Sequence, residues 1–280
     1  IHTLPIEVLD MITAMDVEEY LSYLESYTKD GKLYTNREEG KARKLSSLKS
    51  FYDYYFKKNL IRTNPPRQVD VPKIKNKNII RLDPNEIAQL LDEAESGEKL
   101  SGRQLASHEK TKVRDVAILT LLLGTGIRVS ECVGLNLEDV DFNNGAIRII
   151  RKGGNEALIY FGDEVSQALE AYMNGPRKTA EPAAGHEEAL FISLNKTRIT
   201  TRSVERLVKK YSRLVTTVKK ITPHKLRSTF GTALYQETGD IYLVADTLGH
   251  KDVNTTKKHY AAIDEHRRRM AANVVKLRES

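Results

Sequence analysis

Three prolines divide this chain. Pro65, Pro66 and Pro72 fall in a stretch, 62–82, that cannot be helical, because proline has no N–H to donate and its ring clashes with the preceding turn. The same stretch is basic, with Arg62, Arg67, Lys73, Lys75, Lys77 and Arg81. It reads as a linker over 67–82 that can run along a phosphate backbone, joining a first domain, 1–66, to a second, 83–280. The 280 residues, 40% of them hydrophobic, suffice for two modest cores.

In the first domain, 16–27 is expected to be a helix with Asp16 as its N-cap, followed by a polar loop, Thr28 to Asn36. Residues 37–58 give a stronger helix, with Leu45, Leu48, Phe51, Tyr52, Tyr55 and Phe56 on one stripe. Arg43, Ser47 and Ser50 fall on the other side, beside Lys44. An arginine among small residues can approach a nucleic-acid groove closely, so Arg43, Lys44 and Ser47 are candidate contacts.

The second domain opens on Asp83-Pro84, an N-cap followed by proline at the first helical position, and its helix runs to about Glu95. A loop holding Gly97 and Gly102 leads to a buried helix, Arg114 to Leu123, ended by Gly124 and Gly126. Residues 138–161 change to strand chemistry, with a turn at Asn143-Asn144-Gly145 and a second hairpin tip at Lys152-Gly153-Gly154-Asn155. Helices resume over 163–174. Another follows Thr200-Thr201, with an apolar stripe of Val204, Leu207, Val208, Tyr211 and Leu214, and with Arg202, Arg206, Lys209 and Arg213 opposite. Arg202, Arg206 and Lys209 are read as DNA-facing.

Charge supports that reading. The net charge is +7, and between 196 and 225 there are ten Lys/Arg against one acid, Glu205. Between 41 and 62 there are seven against one, Asp53. A polyanionic partner follows. The lone cysteine, Cys132, excludes an internal disulfide and suits a reducing cytosol. There is no apolar run near eighteen residues, no zinc-like Cys/His grouping and no Gly-rich phosphate loop, so membrane, metal and ATP are not expected.

The chemistry gathers between 224 and 260. His224 and Arg227 stand three apart, on one helical face. His250 follows Leu248-Gly249, and Tyr260 follows Asn254 to His259. A phosphodiester repels nucleophiles and has a poor leaving group. Cations neutralise its transition state, and a phenol can form an ester with phosphorus.

This stretch resembles the tyrosine recombinases, the family of phage integrases and the Xer proteins. Upstream, Gly124 to Glu131 looks like that family's first arginine box, and Arg151 to Glu156 like its lysine hairpin. The likeness covers residues from about 16 to the end. It implies a mainly α fold with a small antiparallel sheet, arranged as a two-domain DNA clamp. A helical core-binding, SAM-like domain without its first helix would precede a catalytic domain, with 264–280 as a tail exchanged between subunits. The helix over 37–58 would be the one that enters the major groove.

By the same resemblance, Arg128 and Arg227 hold the non-bridging oxygens, His250 donates a further hydrogen bond and His224 relays the nucleophile's proton. Lys152 protonates the 5′ oxygen and Tyr260 attacks, leaving a 3′-phosphotyrosyl enzyme. The implied partners are a double-stranded recombination site and three further copies in a tetramer, with a second recombinase or accessory proteins left open. No cofactor is implied, and a cytoplasmic location is. A type IB topoisomerase and a catalytically silent DNA-binding regulator are the competing readings. Tyr260 follows His250 by ten residues where nine is common in the family, and Ser228 stands where histidine is frequent.

Overall fold

The computed structural model describes residues 6–73, 80–151, 153–250 and 253. It divides into two compact units, Ile1–Lys77 and Asn78–Ser280. Lys152, Tyr260, Lys75, Lys77 and the tail at 264–280 lie outside the described residues.

In the first unit α1 spans Ala14–Tyr23 rather than 16–27. Its N-cap is Thr13, not Asp16. The Thr13 hydroxyl accepts from the Asp16 N–H at 3.2 Å, and the Asp16 carboxylate accepts from the Thr13 N–H at 2.7 Å. That reciprocal box satisfies two donors that a bare helix end leaves orphaned. The expected loop at 28–36 instead holds a hairpin of β1 (Ser26–Lys29) and β2 (Lys32–Thr35), closed at Asp30-Gly31 with φ of 51° and 70°. Those angles suit a tight Asp-Gly turn. The rings of Tyr23, Tyr27 and Tyr34 stack along it at 5.1 and 5.4 Å.

Helix α2 spans Glu38–Lys57. Leu45 and Tyr52 are buried, with Leu45 joining Val17, Leu21, Leu24 and Val69 in the core. Phe51 and Phe56, expected on the buried stripe, are 44% and 39% exposed. The proline-rich stretch is not uniform. Pro65 and Pro66 are buried in a short 3₁₀ turn, and Lys49 Nζ donates to the Val69 carbonyl at 2.8 Å. Arg67 Nε donates to Asp53 at 2.7 Å. Through Val69, therefore, the expected linker packs on the first unit, and Arg67 is matched to a carboxylate.

In the second unit α3 (Pro84–Ser96) begins at a reciprocal Asp83–Glu86 box and ends at Gly97, whose φ is +68°. Helix α4 (Gly102–Thr125) starts twelve residues before the buried segment expected from Arg114, and its first turns are mostly polar and exposed, with no apolar stripe to mark them. Its second half, Ala117 to Leu122, is buried on nearly every side and forms the spine of the core. After α5 (Val129–Gly134) come β3 (Val140–Asp141), β4 (Ala146–Ile150) and β5 (Glu156–Tyr160), antiparallel in that order. Ile147, Ile149 and Ile159 face the core, while Ile150, Leu158 and Tyr160 face solvent, the alternation a one-sided sheet requires. Helix α6 (Asp163–Tyr172) and a π-type turn, Met173–Arg177, follow.

Helix α7 (Thr201–Val215) buries Val204, Leu207, Val208 and Tyr211. Tyr211 anchors it to α4: its hydroxyl donates to Asp115 at 3.1 Å, accepts from Lys210 Nζ at 2.8 Å and lies 3.0 Å from His108 Nδ1. Asp115 also accepts from Thr111 and from Arg114, whose Nη1 donates to the Ile192 carbonyl. Burial, and then the Asp115 charge, push the Tyr211 phenol well above its usual range, so it stays a donor. Tyr211→Phe should lower the stability of this unit by about 1–3 kcal/mol, since a buried carboxylate loses a donor. An unchanged urea midpoint would sink that expectation. Helices α8 (Pro223–Thr238) and α9 (Ile241–Thr247) complete the described unit.

Candidate active site

The site is built where α9 ends. Leu248 is its C-cap, and Gly249 follows with φ +60°. The Gly249 N–H donates to the Asp246 carbonyl and the His250 N–H to the Ala245 carbonyl, both at 2.8 Å. This is a Schellman turn. It needs a left-handed residue at the glycine position and fixes the backbone of the residue after it. His250 is that residue, and it is half-buried.

The turn leaves the carbonyls of 247, 248 and 249 without partners inside the helix. Each accepts from a different arginine. Arg151 Nη2, at the end of β4, donates to Thr247 at 3.3 Å. Arg227 Nη2, from α8, donates to Leu248. Arg128 Nη2, from the α4–α5 junction, donates to Gly249 at 3.4 Å. Segments far apart in sequence are thus gathered at one helix end, whose partial negative charge favours cations.

The two expected arginines differ in setting. Arg227 is 6% exposed, and its Nη1 donates to the Gly126 carbonyl at 2.6 Å, so it bridges the ends of α4 and α9. Gly126 has φ +63°, and a Cβ there would lie 3.0 Å from Leu248 and closer still to the Phe230 ring. Arg128 is the N-cap of α5 and its side chain is 40% exposed. Glu131, buried, accepts from the Arg128 N–H at 2.6 Å and from its Nη1 at 2.8 Å. Glu131 therefore aims Arg128. It was not singled out from sequence, although its three-residue spacing from the cap was a signal.

His224 sits on the first turn of α8 and is exposed, although it shares a face with buried Arg227. Ser228 Oγ donates back to the His224 carbonyl at 3.0 Å. Arg128, Arg227 and His250 thus converge on one turn, with His224 one helical turn before Arg227. Lys152 and Tyr260 lie outside the described residues, but Arg151 closes the base of the lysine hairpin. Its N–H donates to the Asn155 carbonyl at 2.8 Å, and its carbonyl accepts from the Gly154 N–H at 3.0 Å. Tyr242 stands at the start of α9, at the far end of that helix from the three arginines, and is 70% exposed. Cys132 is fully buried, which pushes its thiol up to about 12 and leaves it unreactive at neutral pH.

Of the candidate DNA contacts, Arg43, Ser47, Arg202, Arg206 and Lys209 are exposed and Lys44 is half-buried. Ser47 Oγ donates to the Arg43 carbonyl at 3.1 Å. No helix among the described residues is long and apolar enough to cross a membrane.

Comparison with known proteins adds relatives to this geometry. The sequence profile described as the phage integrase family matches residues 80–267. A tyrosine recombinase XerC from Thermodesulfovibrio yellowstonii is 37% identical over 218 residues, covering 77% of this chain and 69% of the relative. A tyrosine recombinase XerD from Oceanobacillus iheyensis is 29% identical over 259 residues, covering 86% and 83%. Among solved structures, the XerH site-specific recombinase bound to its palindromic difH substrate in a post-cleavage complex aligns with a TM-score of 0.70 at 21% identity. That alignment covers 94% of this chain and 72% of XerH.

Proposed function

The chain belongs to the phage integrase family and is a tyrosine recombinase, an enzyme of site-specific DNA cleavage and religation; from that premise we propose how its own residues divide the work. Arg128 and Arg227 offer planar N–H pairs to the two non-bridging oxygens of the scissile phosphate. His250 donates to the same group. The Tyr260 oxygen attacks phosphorus, and His224 takes the phenol's proton. The bond to the 5′ oxygen breaks, and Lys152 gives that oxygen a proton. The products are a 3′-phosphotyrosyl ester and a free 5′ hydroxyl. Attack by another strand's 5′ hydroxyl reverses the steps. The ester conserves the phosphodiester bond energy, so no nucleotide is consumed.

The observation that carries this reading is the convergence of Arg128, Arg227 and the His250 turn at the end of α9. Donors aimed in advance at one small volume can stabilise charge on a phosphoryl group without reorganising during the reaction. The substrate is double-stranded DNA. Arg202, Arg206 and Lys209 on α7, and Arg43, Lys44 and Ser47 on α2, supply groove and phosphate contacts. Four copies act on two duplexes, the tail at 264–280 passing between subunits.

A suicide substrate, nicked just past the cleavage point so that the short 5′-hydroxyl strand diffuses away, tests the reading. The protein should become covalently attached to the 3′ phosphate and migrate as a stable adduct in denaturing gels. Specific binding with no adduct would mean that the chain recognises DNA without cutting it.

A further inference from the structure

Two of the three arginines at the end of α9 have a proposed place in the reaction. The third, Arg151, has none. Its backbone closes the base of the hairpin at 151–155, and its side chain reaches 96 residues ahead to the Thr247 carbonyl. On the way its guanidinium packs against Gly249: a Cβ there would sit 2.5 Å from Arg151 Cζ and 2.9 Å from its Nε. That Nε is buried and finds no acceptor among the described residues. A buried N–H left unbonded carries an energetic penalty, so another contact must keep the side chain there. Gly249 thus meets two demands at once, the left-handed φ of the turn and the absence of a Cβ under the guanidinium.

We propose that Arg151 is a positioning residue for cleavage: it ties the hairpin at 151–155 to the Leu248-Gly249-His250 turn and holds His250 at the scissile phosphate. The inference rests on the cleavage reading above. Without Arg151, the Thr247 carbonyl loses its charged donor and Gly249 loses the plane packed on it, so the turn gains freedom on one side. Arg227 and Arg128 still hold the next two carbonyls, and the loss should be partial. We expect about a tenfold slowing, less than the roughly 10²-fold that a 1 Å misplacement can cost.

The test is single-turnover cleavage of the suicide substrate at saturating enzyme, with binding affinity and its salt dependence measured alongside. The enzymes compared are wild type, Arg151→Ala, His250→Ala and the double variant. Arg151→Ala should slow adduct formation about tenfold while affinity and salt slope stay as in wild type. In the His250→Ala background the same change should add little, because two residues acting as a unit are not additive. Arg151→Lys, which keeps the charge and most of the reach, should recover part of the rate. It carries the same cycle should the alanine variant not fold.

An unchanged rate overturns the proposal. So does a tenfold loss that persists in the His250→Ala background, since the arginine would then act elsewhere. Weakened binding with a shallower salt slope makes Arg151 a direct phosphate contact and overturns it too. Failure of the cleavage reading looks different: wild type itself would form no adduct.

Discussion

Tyr260→Phe should abolish covalent adduct formation and leave DNA affinity as it is in the wild type. The change deletes one hydroxyl, so it removes the attacking oxygen and almost no binding surface. No side reaction can substitute: without the oxygen there is no ester, and the loss should be complete rather than partial. The tyrosines of the catalytic unit narrow the choice. Tyr211, Tyr172 and Tyr235 are buried, and burial is the leading reason the first two phenols are held above their usual range, which suits donors and not nucleophiles. Tyr160 faces solvent on the outer side of the sheet. Tyr242 is exposed, but it stands at the far end of α9 from the arginines. Adduct formation by Tyr260→Phe would move the nucleophile to Tyr242, and Tyr242→Phe would then have to eliminate it. The ten-residue interval between His250 and Tyr260 gives the experiment its point, because His259 occupies the position at which the family's tyrosine is common.

Lys152→Ala should be slowed by something like the 10²–10⁴-fold typical of a lost general acid. The reason lies in the leaving group. An alkoxide leaving as the 5′ oxygen needs a proton, whereas a thiolate does not, since a thiol has a pKa of about 8.5. Replacing the bridging 5′ oxygen by sulfur should therefore restore most of the rate to Lys152→Ala. The same sulfur should do much less for Arg128→Ala, whose role is charge on the non-bridging oxygens. Sulfur that rescues neither variant makes Lys152 a positioning or DNA-binding residue. Equal rescue of both would mean that the proton arrives through the arginine side of the site.

Several parts of this architecture are legible in the sequence. Asp83-Pro84 names its own helix start, because an N-cap and a first-turn proline have few other uses, and α3 begins there. The strand chemistry of 138–161 predicts a small antiparallel sheet, and the sheet forms. Arg128, Arg227 and His250 are expected from short motifs in a fixed order, and the fold brings all three to one turn. The misses have physical causes. The β1–β2 hairpin reads as a loop in sequence although Asp30-Gly31 is a tight-turn pair, because its strands bury little and so carry no alternating pattern. The first half of α4 has no apolar stripe to announce it, because its polar turns extend a helix whose stability comes from the buried half. Arg151 carries no such signal. Its neighbours along the chain say hairpin, and its partners at Thr247 and Gly249 exist only once the chain has folded.

The end of α9 also bears on how inactive forms of this enzyme should be chosen. Arg227 is at once a proposed phosphate ligand and the donor for two main-chain oxygens, at Gly126 and Leu248. Truncating it strands both acceptors in a buried place, at a cost of about 1–3 kcal/mol for each group left unbonded. A slow Arg227→Ala enzyme would then mix two deficits, one chemical and one conformational, that a rate measurement cannot separate. Crystallisation and footprinting of a trapped complex want a protein that is chemically silent and otherwise sound. In this fold the phenol is the place to make that change, because the guanidinium groups are part of the masonry.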